Sequence, residues 1–227
     1  MLALERPVWS SLSSRHGALA VGGPLARRYA PEVNLFASAC DDSADALAAL
    51  AALVDTGERV YLLQVPRIVV PPGLMAVKSA KGVQMVATRS LASMALHEDI
   101  LTLSERDASE MLALATLTEP GPFLSRTHMM GTFLGVRIGG RLAAMAGERF
   151  RFPGYTEVSG VCTHPDFRGG GLARRLSAAV AHGIEARGDK PFLHAWKTNR
   201  AAIALYESLG FELRAEVNVA VLARPLL

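Results

Sequence analysis

The chain has 227 residues, 50% of them apolar and 20% charged, which suits a globular protein with a sizeable core. The net charge of +3 is mild, and with no lysine-rich run or interleaved aromatic stripe it argues against a nucleic-acid partner while still favouring an anionic ligand. Cys40 and Cys162 form neither a disulfide framework nor a zinc pattern, so a reducing, cytoplasmic setting without metal is expected. No apolar run reaches membrane-spanning length, and the opening MLALERPVWSSL, broken by Glu5, Arg6 and Pro7, does not read as a secretory signal.

Residues 1–95 differ in texture from the rest of the chain and are expected to form an accessory N-terminal α+β domain. Ala18–Val21 and Asn34–Ala37 look like short strands. Asp41 or Ser43 can cap a helix running to Val54, with Leu47, Leu50, Leu53 and Val54 on its buried face. Val60–Val65 is a strand stopped by Pro66, Pro71-Pro72-Gly73 a turn, and Val83–Ala87 a further strand.

Residues 96–227 are expected to form a second domain. Asp99–Leu103 is its first strand, and Ser104-Glu105-Arg106-Asp107 reads as a capping box opening a helix. Pro120-Gly121-Pro122 breaks that helix, and a short amphipathic piece follows at Leu124–Met130. Gly139-Gly140 is a two-residue turn between strands Thr132–Ile138 and Arg141–Phe150. A β-rich run over Thr156–Thr163 leads through His164-Pro165 to the glycine turn Arg168-Gly169-Gly170-Gly171-Leu172-Ala173. Next comes a helix over Leu172–Arg187 with Leu176, Val180 and Ile184 one turn apart. Lys190–Trp196 is a strand, Asn199–Leu209 a helix ended by Gly210, and Phe211–Leu222 supplies one or two closing strands.

A glycine-rich turn between a strand and a helix N-terminus presents unpaired N–H groups and the positive helix dipole, a setting for phosphate or pyrophosphate. It matches neither GxxxxGK[ST], since no Lys-Ser/Thr pair follows, nor GxGxxG, since Arg174 stands where the last glycine should be. What remains is R-x-x-G-x-A at Arg168, Gly171 and Ala173, followed downstream by N-x-x-A-x-x-L-Y-E-x-x-G-F from Asn199 to Phe211. The two motifs in this order resemble the signatures of the GCN5-related N-acetyltransferases, the GNAT superfamily, over roughly residues 97–227. The second motif and the extra N-terminal half also resemble the branch of FR47-like proteins and glycine N-acyltransferases.

The resemblance implies an α+β (α/β) fold: a mixed, mostly antiparallel sheet with splayed fourth and fifth strands, flanked by helices, beside the accessory N-terminal region. It implies acetyl-CoA, or another acyl-CoA, as co-substrate. Backbone groups of Val161, Cys162 and Thr163 would lie along the pantetheine arm, and the N–H groups of Gly169, Gly170, Gly171, Leu172, Ala173 and Arg174 would hold the diphosphate. Arg168 or Arg174 would add a side-chain contact or stand as a solvated charge. Asn199 would bond the pantetheine, cap the next helix, or do both.

Acyl transfer to an amine needs a base and an acid. By resemblance Glu157, eleven residues before Arg168, is the candidate base, with a solvent-facing strand-end carboxylate as its plainer reading and another residue or a water chain as the alternative base. Strand alternation would put Glu157, Ser159, Val161 and Thr163 on one face and Cys162 on the other, unless a bulge breaks it. Tyr206 is the candidate acid for the leaving thiolate, or else a core tyrosine. His194 is a second candidate base or a core histidine, and Cys162 reads as a buried small hydrophobe. The acceptor site falls at Pro120–Met130 and Glu148–Tyr155, where Phe123, Phe150, Phe152 and Tyr155 are apolar and Arg126, Arg149 and Arg151 are cationic.

The expectation is an N-acyltransferase acting on a small-molecule or amino-acid amine, with a homodimer left open. The alternative is an acyl-CoA-binding sensor or regulatory module without turnover.

Overall fold

The computed structural model describes residues 3–90 and 98–225. Its centre is an eight-stranded sheet in the order β4-β11-β5-β10-β9-β8-β7-β6. In chain order these strands are β4 (Arg59–Gln64), β5 (Met75–Ala87), β6 (Ile100–Leu103), β7 (Phe133–Ile138), β8 (Arg141–Phe152), β9 (Tyr155–Thr163), β10 (Lys190–Trp196) and β11 (Phe211–Ala223). Only β9 and β10 run parallel; every other neighbouring pair is antiparallel.

The N-terminal segment folds as α1 (Pro7–Leu12), a small sheet of β1 (Ala20–Gly22), β2 (Ala26–Tyr29) and β3 (Ala37–Ala39), and α2 (Ala44–Ala52). It then continues into the large sheet. β5 lies between β10 and β11, pairing with β11 from Phe211↔Ala87 to Ala223↔Met75. The expected boundary between residues 95 and 96 lies outside the described residues, but hydrogen bonds of one continuous sheet join the segments on either side of it. The tail is one thirteen-residue strand.

Local chemistry explains several element ends. Ser43 caps α2 by accepting from the Ala46 N–H at 3.3 Å. The Ser104/Asp107 box is formed on both sides and opens a short 3₁₀ turn into α3 (Ala108–Thr118). Gly171 precedes α4 (Leu172–Ala186), and Asn199 caps α5 (Arg200–Ser208), accepting from Ala202 N–H at 3.1 Å.

The two faces of the sheet bury different cores. One packs α4 and α5 over Met85, Val158, Leu193 and Phe211. On the other, α1 and the residues after β2 cover Phe150, Phe152, Phe192 and Val219, while α3 covers Phe133, Met145 and Cys162. Phe150, Phe152 and Phe192 are almost completely buried, each contributing about 1.5–3 kcal/mol of hydrophobic stabilisation. Phe150 and Phe152, expected at an acceptor site, are core residues because they point into this second layer.

One irregularity shapes the site. Between Met145↔Cys162 and Gly147↔Ser159, β9 advances one residue more than β8. The extra residue is accommodated at Gly160, whose φ of +61° an L side chain rarely adopts. The expected alternation therefore fails past Ser159. Val161 packs toward α4 and α5, and Cys162 turns to the α3 side, the face that also carries Glu157.

Candidate functional site

β9 and β10 are paired only from Tyr155↔Lys190 to Val158↔Leu193. Beyond that point β10 stays with β5, through His194↔Gln84 to Trp196↔Gly82, while Ser159–Thr163 diverge with β8. The parted strands open a cleft of about 740 Å³. The bulge at Gly160 lies on its β9 side and twists that strand away from β10.

The cleft carries most of the residues singled out from the sequence. Val161, Cys162, Thr163, Arg168, Gly169, Gly171, Leu172, Ala173, Arg174, Asn199 and Tyr206 all line it. Gly170 is exposed within the same turn. Gly169 and Gly171 have φ of +86° and +72°, so glycine is required there by backbone conformation. The first hydrogen bond of α4 runs from Arg175 N–H to Gly171, and the amides from Gly169 to Arg174 have no backbone acceptor among the described residues. Six unsatisfied donors at the positive end of a fifteen-residue helix form a concavity suited to an anion. The Arg168 and Arg174 side chains are exposed at its rim.

Tyr206 is buried, yet its hydroxyl has no hydrogen-bond partner among the described residues and the side chain borders the cleft. Burial, followed by the charge of Glu157, pushes its pKa up to about 12. At neutral pH it is a protonated donor. Asn199 uses its carbonyl oxygen to cap α5, which leaves its amide group to the cleft.

Glu157 sits differently. It is completely buried and is not part of the cleft wall. Arg149 donates to it twice, from Nε at 2.7 Å and Nη2 at 2.6 Å. His194 Nδ1 donates at 2.6 Å and the Phe150 N–H at 3.3 Å. Burial opposes the charge, but Arg149 and then His194 outweigh it and hold the carboxyl at about 2. A carboxylate so engaged has little proton affinity.

His194 reaches the cleft but is fully committed. Arg214 donates to the Gln84 side-chain oxygen at 2.8 Å, which leaves the Gln84 amide nitrogen to donate to His194 Nε2 at 3.0 Å. Burial lowers the His194 pKa, so the ring is neutral, with its proton on Nδ1. Cys162 is buried, and its thiol is raised to about 11 by burial.

One contributor to the cleft was not singled out from the sequence: Phe36, Tyr61 and Leu63, from the N-terminal segment and β4, line it together with Arg149, Val217 and Val219. The turn after α3, Thr118–Pro122, forms a second rim, and its Pro120–Pro122 part and Arg149 fall in the expected acceptor region, whereas Thr118 and Glu119 were not foreseen. Of the other expected acceptor residues, Arg126 pairs with Glu32 at the surface and Arg151 lies 3.5 Å from Glu148. Among the described residues no helix is long and apolar enough to cross a membrane, and no three His, Cys, Asp or Glu side chains cluster as metal ligands.

Residues 133–220 match the model of the FR47-like proteins. The chain is 43% identical to a GNAT-family protein of known structure from Novosphingobium aromaticivorans, with each chain covered completely and a TM-score of 0.93. A GCN5-related N-acetyltransferase from Kribbella flavida shares 18% identity over 95% of both chains, with a TM-score of 0.61. A GCN5-related N-acetyltransferase-like protein from Streptococcus suis shares 16% identity over 95% of this chain and 92% of that one, with a TM-score of 0.58. No curated protein matches the sequence. The chain belongs to the GNAT family of acetyltransferases, whose reaction is acyl transfer from acetyl-CoA.

Proposed function

We propose that the protein transfers an acetyl group from acetyl-CoA to the primary amine of a small molecule or amino acid, by direct attack in a ternary complex. The observation that supports this most is the parting of β9 from β10 after Val158 and Leu193, beside the six unsatisfied amides of the α4 turn. An extended pantetheine arm can pair with the free edge of Ser159–Thr163 as an added strand would, with its diphosphate on the Gly169–Arg174 cradle. That docking leaves the thioester in the wedge, where the Val161 N–H can polarise its oxygen, a contribution of about 2.7–4 kcal/mol. Holding amine and thioester together contributes more, up to ~7–11 kcal/mol in favourable cases.

Tyr206 then protonates the departing thiolate, a role that its free hydroxyl and high pKa support. Glu157 positions Arg149 and His194 rather than exchanging protons with the acceptor. The acceptor approaches past Phe36, Tyr61 and Leu63, walls suited to an amine with an apolar body. The free thiols Cys40 and Cys162 fit a cytoplasmic setting.

The test is thiol release from acetyl-CoA against a panel of amines, run beside a thermal-shift measurement with acetyl-CoA alone. Turnover with at least one amine is expected. A raised melting temperature with no thiol release from any amine would identify a binding module instead.

A further inference from the structure

Glu119 is the only carboxylate lining the cleft among the described residues. It is also the only non-glycine residue there with positive φ, at φ 49° and ψ 53°, where it ends α3. Both facts run against local preference. The left-handed position that closes a helix is ordinarily glycine's, because a Cβ is strained there. A negative charge at a helix C-terminus meets the negative end of the dipole. The Glu119 N–H closes the helix on Ala115 at 2.8 Å, while its side chain has no hydrogen bond or ion pair among the described residues. Exposed on the cleft wall, the carboxylate is available to a cationic group that enters the cleft, and the negative end of the α3 dipole adds to that attraction.

Its place in the fold is set by the preceding helix. Thr118 donates back to the Leu114 carbonyl at 2.7 Å, and the inner face of α3, at Met111, Leu114 and Ala115, packs with Cys162 of β9 just past the bulge. Glu119 therefore stands over the β9 side of the wedge, on the face opposite α4 and α5. That is the acceptor's side if acyl-CoA occupies the α4 turn.

We infer that Glu119 is the group that receives the acceptor amine, pairing with its ammonium and taking its proton. This rests on the acyl-transfer reading of the cleft. The ammonium gives one proton to Glu119, and the freed lone pair forms the C–N bond at the thioester carbon. The C–S bond breaks, its electron pair leaves on sulfur, and the thiolate takes the Tyr206 proton. The nitrogen's second proton, released as the amide forms, restores Tyr206, and the proton on Glu119 passes to water.

The experiment compares wild type with Glu119→Gln and Glu119→Gly, using 2-phenylethylamine and hydroxylamine as acceptors and acetyl-CoA as donor. Phenylethylamine is an ammonium at neutral pH, whereas hydroxylamine is largely uncharged and needs no base before attack. Both variants should lose about 10²-fold in kcat/KM for phenylethylamine and stay within about threefold of wild type for hydroxylamine. Glu119→Gly should also raise Tm by about 2–4 °C by relieving the left-handed strain, a gain in stability alongside a loss of activity. The acetyl-CoA thermal shift should be unchanged in both. Equal losses with the two nucleophiles, or none with phenylethylamine, would overturn the assignment while leaving the transferase reading intact. Wild type that is stabilised by acetyl-CoA but releases no thiol above background with either nucleophile or with any amine of the panel would overturn both.

Discussion

Arg149 holds Glu157 across the β8–β9 ladder with two hydrogen bonds, while its guanidinium lies 4.9 Å from the ring centre of Phe36 and 4.6 Å from that of Phe150. One residue thereby ties the buried carboxylate of the central sheet to the N-terminal segment and presents its remaining edge to the cleft. Phe36 also meets Tyr61, with ring centres 5.8 Å apart, so this part of the cleft wall is built jointly by both halves of the chain.

Breaking this pair on one side should be costly. Arg149→Met leaves the Glu157 charge buried without its main partner, and a loss of about 3–5 kcal/mol is expected by urea denaturation. The Arg149→Met/Glu157→Gln double variant should be less destabilised than the sum of the singles. Strict additivity would mean that the two side chains are not coupled.

The same pair sets a pH dependence. The folded pKa of Glu157, at about 2, lies below its ordinary 4.5, so its contribution is complete above about pH 4.5 and is lost as pH falls toward 2. Asp189, lowered by Arg15 and Thr156 despite burial, acts in the same direction. Urea midpoints measured from pH 7 down to pH 2.5 should fall through the lower part of this range. In Glu157→Gln the fall should be shallower, and an unchanged slope would contradict the assignment of the charge to Glu157.

Tyr206→Phe removes the cleft's phenol without changing its shape. We expect kcat to drop by about 10–10² with an unaltered acetyl-CoA thermal shift. In wild type, ionisation of a tyrosine held at about 12 should not limit the rate below pH 10. A Phe variant with full turnover would remove Tyr206 from the chemistry.

A covalent route through Cys162 is disfavoured by its burial and raised pKa. Cys162→Ser should keep most activity, and iodoacetamide at neutral pH should leave the native enzyme active. Trapping of an acetylated Cys162 by mass spectrometry would show the contrary.

Much of the fold was legible because its signals are local. Capping at Ser43, Ser104 and Asn199, the Gly139-Gly140 turn and the α4 stripe each depend on a few adjacent residues. The insertion of β5 between β10 and β11 was not legible, because it joins Phe211 to Ala87 across more than a hundred residues and leaves no periodicity in the chain. The bulge at Gly160 defeated strand alternation, since a single glycine within a strand does not announce which side gains a residue. The environment of Glu157 depends on Arg149 and His194, which arrive from neighbouring strands, so a surface carboxylate and a buried one read alike. Glu119 escaped notice because its left-handed backbone is visible only in three dimensions, although the adjoining Pro120-Gly121-Pro122 marked the helix end.

The most direct test is a crystal structure of the protein with acetyl-CoA. The account predicts diphosphate oxygens accepting hydrogen bonds from amides between Gly169 and Arg174, the pantetheine along Ser159–Thr163, and the thioester sulfur within reach of the Tyr206 hydroxyl. Acetyl-CoA bound away from the α4 turn, or β9 and β10 closed together along their length with the ligand outside, would contradict it.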